Sequence, residues 1–415
     1  MTLDVPTVCM FAPTSGGGHA RYAWELVTAL ARHPQREFRF ELVSSTELEA
    51  PYREAEYVVH PILPAIRERS TFRTRVGWAL NRALHYPIRE TCFLRWLAGR
   101  DDVATVHLQE WKPWLAAPVI RRIRAMGKKT FYTVHNILPH CYPPLIPKRL
   151  MDHWIRKACL ECEGLFVHTE TLAHELGRFL GPGHPPVTVV PHGVWTVPDS
   201  IAANHPLRER LAIKRLLFFG AIRRNKGLHL LLQALPQLPG YEVTVAGDPS
   251  ERDYFDNEIM PRVTALRAGG ARVHLIDRFV SDAEVGALFS SHSAIVLPYT
   301  QEFVAQSGVV FMALAYGLPV VASTAGGLHE LLGEYEIGAT FETGSCRGLA
   351  DAVRRLHAES RCEELEREIR AARLRFTWHA AACATLRGYA AVAESAAAQS
   401  EVMLNDCAFA TTSVH

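Results

Sequence analysis

The sequence predicts an α/β protein of two similar Rossmann-like domains, and three observations lead there. Apolar strands alternate with helical stretches in both halves of the 415-residue chain, the pattern of parallel sheets with helices on both faces. The strands are continuously apolar, as strands buried on both sides must be. A stretch rich in Pro, Gly, Asn and Ser, residues 191–206, parts the halves as a linker.

In the first half, strands are expected at residues 8–12, 38–43, 105–108, 130–134, 165–168 and 187–190, with a helix at 19–32 and further helices between the strands, for example 115–126 and 171–180. In the second half, strands are expected at 216–219, 241–246, 273–276, 294–297 and 319–322, and helices at 228–235, 254–268, 282–290, 308–315 and 346–358. The expected bounds are 1–195 for the first domain and 207–375 for the second. A final helix falls within 376–395, and residues 396–415 lack periodicity and read as disordered.

Composition is globular, with 48% hydrophobic and 21% charged residues. No apolar run reaches the roughly 18 residues needed to span a bilayer; the longest, 309–322, is broken by Gly317 and Pro319. Asp4 stands where the basic region of a signal peptide would lie, so a cytoplasmic protein is expected. The nine cysteines have no framework spacing, which points to reduced thiols; Cys159 and Cys162 form a lone CxxC, read as structural. Residues 64–160 carry eighteen Lys or Arg against six Asp or Glu, although the whole chain is only +2. That imbalance suits anionic partners or the anionic inner face of a membrane, to which the protein would bind peripherally, Arg67, Arg69, Arg73 and Arg75 lying among Phe72, Val76 and Trp78. A solvated helical face explains it equally well. Nucleic acid is not expected, since no aromatic-and-basic signature accompanies the charge.

Three loops carry the chemistry. Ser15-Gly16-Gly17-Gly18-His19 joins a strand to a helix, where backbone N–H groups and the helix dipole favour an anion. It is not GxGxxG, which argues against a dehydrogenase. Phe219-Gly220 ends a strand and leads through Arg223, Arg224, Asn225 and Lys226 to Gly227 and a helix. A guanidinium and an ammonium at a strand's carboxyl end suit a diphosphate. Pro298 to Gly308 is a polar loop ending in Gln306-Ser307-Gly308 at a helix N-terminus, a second anion cradle in which Ser307 doubles as an N-cap.

These segments, in this order, resemble the retaining family 4 glycosyltransferases (glycosyl transferases group 1) over residues 7–390, which implies the GT-B fold, two Rossmann-like domains facing each other across a cleft. The resemblance also takes in Thr133-Val134-His135-Asn136, Val189 to Val194, Ala246-Gly247-Asp248, Ser307 to Val321, Gly326 to Glu330 and Arg375-Phe376-Thr377-Trp378. It implies that Arg223 and Lys226 neutralise the donor diphosphate and that His135 touches the transferred sugar. It implies that Gly17, Gly18, Gly220, Gln306, Ser307 and Gly308 line the donor site, and that the final helix braces the first domain. A histidine after a buried strand is as readily a hydrogen-bonded structural residue, so His135 rests on the resemblance.

The family's two glutamates fall at Val304 and Met312 here, which leaves Glu302, out of register, as the substitute carboxylate for the donor ribose. No DxD pair occurs, so metal independence is expected, with no cofactor beyond the nucleotide-diphosphate sugar as co-substrate. The implied acceptor is a glycan or a lipid-linked glycan, as in surface polysaccharide synthesis. Two alternatives are a nucleotide-sugar epimerase of the same fold and a non-catalytic nucleotide-sugar-binding protein.

Overall fold

The computed structural model describes residues 5–34, 36–48, 55–66, 75–137, 146–197, 206–303, 306–358 and 362–411. The chain divides into two compact units, Met1–Pro191 with Trp378–His415, and His192–Thr377.

The first unit holds seven parallel strands: β1 (Thr7–Phe11), β2 (Arg39–Ser45), β3 (Val58–Leu63), β4 (Val103–Leu108), β5 (Lys129–Thr133), β6 (Gly164–Val167) and β7 (Val187–Val189). Their spatial order is β3-β2-β1-β4-β5-β6-β7. Every residue of β1, TVCMF, is buried, because helices cover both faces of this central strand. The helix Gly17–Arg32 turns Ala20, Ala23, Leu26, Val27 and Leu30 inward, the spacing of one helical face.

The helix beginning at Trp378 packs on this unit, against helix Gly17–Arg32, β6 and β7. Glycines make the close approach possible. A Cβ on Gly388 would lie 2.3 Å from the Phe166 ring, and one on Gly164 would meet both Phe131 and Val392. A buried polar link fastens the same helix. Tyr389 OH lies 2.6 Å from His107 Nδ1, while His107 Nε2 lies 2.7 Å from Thr133 Oγ1. Burial pushes the His107 imidazole down to about 3, so it is neutral. Gly388→Ala is therefore expected to destabilise the first unit by about 1–3 kcal/mol through overpacking, because Phe166 is buried and has nowhere to retreat. An unchanged urea-unfolding midpoint would show that the helix does not depend on this contact.

The second unit is a six-stranded parallel sheet of β8 (Arg215–Phe219), β9 (Glu242–Ala246), β10 (Arg272–Ile276), β11 (Ala294–Leu297), β12 (Val320–Ser323) and β13 (Gly338–Phe341). The order is β10-β9-β8-β11-β12-β13. In each unit the strand order reverses beside the first strand, so β1/β4 and β8/β11 flank topological switch points, where open α/β sheets bind ligands.

Some elements differ from expectation. The strands β3 and β13 were not expected. The first, VVHPIL, contains a proline and is largely half-exposed, while the second is four residues long and starts with a glycine; both are edge strands. The helices Arg75–Ala98 and Lys148–Leu160 fill stretches between strands, where helices were expected without stated bounds, whereas Cys362–Arg375 was not expected. The last helix runs to Thr411, so residues 396–411 are helical where disorder was expected. Alanine is the strongest helix former, and neither Gly nor Pro occurs between Tyr389 and Thr411. Much of the expected linker lies outside the described residues, as do Val304, Arg67, Arg69, Phe72 and Arg73. Cys159 and Cys162 are buried in the core of the first unit, and burial pushes the Cys159 thiol up to about 12 and Cys162 upward also. Thiols so shifted are protonated and inert.

Candidate active site

In the second unit, the loops after β8 and β11 meet at the switch point. Gly220 has φ of +103° and Gly227 has φ of +66°. A Cβ at Gly227 would lie 1.8 Å from the Pro298 carbonyl oxygen, so only glycine lets the two loops touch there. Asn225 O accepts the Thr300 backbone N–H at 2.9 Å and locks the same contact.

This folding places Lys226 over the ring of Tyr299, with Nζ 5.3 Å from the centroid. The same Nζ would be 3.3 Å from a Cβ on Gly220. Tyr299 OH is 2.9 Å from Ser307 Oγ, and Ser307 precedes the helix Gly308–Ala315 as its N-cap. Gly220, Lys226, Tyr299, Ser307 and Gly308 thus form one contiguous cluster. Gly308 is fixed from behind, where Trp195 Nε1 donates to its carbonyl at 2.8 Å and His192 stacks on Phe311. Tyr299, His192 and Trp195 were not singled out from the sequence; the signal available for Tyr299 was its position just after a fully buried strand.

Of the three cations in the β8 loop, Arg224 is occupied. It pairs with Glu258 and lies 4.9 Å over the Tyr254 ring. Arg223 and Lys226 have no ion-pair partner among the described residues. Burial, and then the charge of Arg223, lowers the Lys226 ammonium to about 8. Two cations three residues apart in one loop, beside a glycine and a helix N-terminus, form a site suited to a multiply charged anion. The Gln306 carbonyl oxygen is buried without a hydrogen-bond partner among the described residues, an acceptor that a ligand hydroxyl would satisfy. Glu302 is exposed on the preceding turn, and no contact joins it to this group.

In the first unit, Gly17 has φ of +75°, and a Cβ on Gly17 or Gly18 would meet nothing within 4 Å. No internal crowding requires glycine at Gly18; its effect is to leave the first N–H groups of the helix approachable. The helix then presents His19 and Tyr22 edge-on to His135, with centroids 4.7 and 4.9 Å away. His135 follows β5, and His168 holds the equivalent place after β6. His135 Nδ1 lies 2.9 Å from His168 Nε2, whose Nδ1 lies 3.1 Å from the Val190 carbonyl. Burial lowers His168 to about 4, so it is neutral. A carbonyl oxygen only accepts, so His168 carries its proton on Nδ1 and accepts at Nε2. His135 must then donate from Nδ1, which leaves its lone pair on Nε2 when neutral. His19, Tyr22 and His168 were not singled out from the sequence.

Comparison with known proteins decides the family. Residues 16–196 match the model described as Glycosyltransferase Family 4, and residues 213–359 match the one described as Glycosyl transferases group 1. Glycogen synthase of Mycobacterium tuberculosis is 31% identical over 307 residues, spanning 70% of this chain and 69% of that protein. The chain belongs to the family 4 glycosyltransferases. Sucrose-phosphate synthase from Thermosynechococcus elongatus superposes on this glycosyltransferase with a TM-score of 0.72 at 16% identity, over 94% of this chain and 100% of that one. Anabaena HepE in complex with UDP and glucose gives 0.69 at 16%, over 93% and 99%. Both likenesses establish the GT-B fold.

Proposed function

We propose that this glycosyltransferase moves a sugar, with retention, from a nucleotide-diphosphate sugar to a glycan or lipid-linked acceptor in surface polysaccharide or glycoconjugate synthesis. The observation that carries the donor assignment is the Arg223 and Lys226 pair, two cations of one loop at the β8/β11 switch point with no carboxylate partner among the described residues. In the reaction, the bond between the anomeric carbon and the diphosphate oxygen breaks and its electron pair leaves on that oxygen. Arg223, Lys226 and the N–H groups at Ser307 and Gly308 stabilise the charge. The acceptor oxygen bonds the anomeric carbon on the same face, and its proton passes to the departing phosphate. His135 orients the sugar. Gln306 and Glu302 face the donor's hydroxyls, and Gly17 and Gly18 admit its phosphates.

The likeness to HepE with UDP and glucose supports a nucleotide-sugar donor, and the family supports retention. A turnover assay over UDP-, GDP- and ADP-sugars, with the product anomer read by NMR, tests the reading; donor binding without transfer or hydrolysis for any of them would leave only a binding protein. Cytoplasmic, peripheral membrane residence belongs to the same proposal. Among the described residues no helix is long and apolar enough to cross a membrane.

Two outcomes follow from the cation pair. With Arg223 and Lys226 neutralising the diphosphate, EDTA is expected to leave the rate within about twofold of its value without chelator, whereas strict dependence on magnesium or manganese would mean that the diphosphate is held otherwise. Donor affinity should also fall with pH. Lys226 is lowered to about 8 in the free protein, and a bound diphosphate raises it again, so binding takes up a proton above that pH. The dissociation constant for a nucleoside diphosphate should rise by up to about tenfold per pH unit above 8. For stability the sign is opposite. Between about 8 and the ordinary 10.5 the unfolded chain binds more protons, so stability rises with pH through that window. Calorimetric titrations at pH 7 and 9, with Lys226→Met as the variant expected to lose the dependence, check both signs.

A further inference from the structure

His33, His379 and Cys383 come together on the first unit, far apart in sequence and unused by the proposed reaction. His33 caps the C-terminus of helix Gly17–Arg32. His379 and Cys383 stand one turn apart on the final helix, so both face the same way. His33 Nε2 is 3.3 Å from Cys383 Sγ, and Cys383 Sγ is 3.5 Å from His379 Nε2. The two imidazoles stack, 5.2 Å apart and 12° from parallel. All three donor atoms lie within 4.8 Å of one another, the one such group among the described residues.

We propose that these three side chains form a zinc site that fastens the final helix to helix Gly17–Arg32. Bond lengths of about 2.0–2.1 Å to nitrogen and about 2.3 Å to sulfur place tetrahedral N and S ligands about 3.5 Å apart, which both observed N–S separations match. Two imidazoles and one thiolate are the borderline-soft donors that zinc prefers over magnesium or calcium. Binding moves the Cys383 thiol proton to solvent, and water completes the fourth position, since His379 is exposed while His33 is buried. The ion is structural. Helix Gly17–Arg32 has sixteen residues, so His33 sits about 24 Å along the helix from its glycine loop, and Lys226 belongs to the other unit. The site ties together two segments whose cysteine and histidines are separated by 350 and 346 residues, and metal binding of that kind adds its free energy to folding.

The test uses the full-length chain, freed of metal and titrated with Co²⁺ and Zn²⁺. One equivalent of Co²⁺ should produce a thiolate-to-cobalt charge-transfer band that Cys383→Ser abolishes and Cys346→Ser leaves intact. Zinc should raise the melting temperature of the wild type, and His379→Asn should weaken zinc binding by on the order of 100-fold or more. Should Cys383→Ser fold poorly, alkylation of the wild type decides the matter: zinc should protect Cys383 from iodoacetamide and leave Cys346 reactive. A missing band, a band that survives in Cys383→Ser, or equal alkylation with and without zinc would overturn the proposal and leave the three residues as a packed thiol–imidazole contact. Activity in EDTA is a separate readout: loss of melting temperature with turnover kept is the result expected if this site and the cation-based reaction are both correctly assigned.

Discussion

Lys226→Ala is expected to slow transfer about a hundredfold to a thousandfold while the second unit stays folded. A unit charge about 4 Å from the diphosphate contributes roughly 4 kcal/mol at an effective dielectric near 20. Part of that is already used in holding the donor, and the remainder falls on the transition state as the leaving charge develops, which gives the stated range. Arg223→Ala should behave alike. Arg224→Ala supplies the internal contrast, since its side chain is exposed and engaged with Glu258, and exposed pairs contribute about 0–1 kcal/mol. Its removal should change the rate by less than about fivefold. The fold should survive Lys226→Ala because that ammonium is held at about 8 by burial, which marks it as a group whose charge costs stability. Single-turnover rates and thermal melts on the three variants test the order; equal losses in all three would make the loop a diffuse basic surface rather than a phosphate site.

The contrast among these cations also marks what the sequence could convey. Cationic residues after a buried strand were visible at Arg223, Arg224 and Lys226, because strand, loop and helix are encoded locally. Their division into one paired cation and two with no ion-pair partner among the described residues was not, since it depends on Glu258, 34 residues on. The same divide runs through the fold. Central strands such as β1 and β11 are wholly buried, so their unbroken apolar runs stand out. The edge strands β3 and β13 carry exposed positions, a proline or a glycine, and read as loops. Helix Lys148–Leu160 does carry a legible stripe, Met151, Ile155, Ala158 and Cys159, but the prolines at 139, 143, 144 and 147 just ahead of it read as irregular chain and obscure its start. The tail departs from expectation for a different reason. It has no apolar stripe to read, whereas an alanine-rich run is helical by backbone preference alone.

Residues that act through a distant partner were the least legible. His168 resembles any histidine after a strand until the Val190 carbonyl fixes its proton on Nδ1, and that fixes His135 in turn. His135→Ala is expected to cost about a hundredfold in kcat/KM, the scale of a misplaced substrate, with the melting temperature nearly unchanged because the ring lies at the end of β5 rather than within the sheet. His168→Phe keeps an aromatic ring beside Tyr22 and His135 but removes the hydrogen-bond acceptor. It should cost only about threefold to tenfold, the value of one neutral hydrogen bond. The two effects should not add: in His135→Ala, the further change His168→Phe should have almost no effect on kcat/KM, since His168 acts on the sugar only through His135. Additive losses in the double variant would place His168 in the packing and leave His135 to be oriented by His19 and Tyr22.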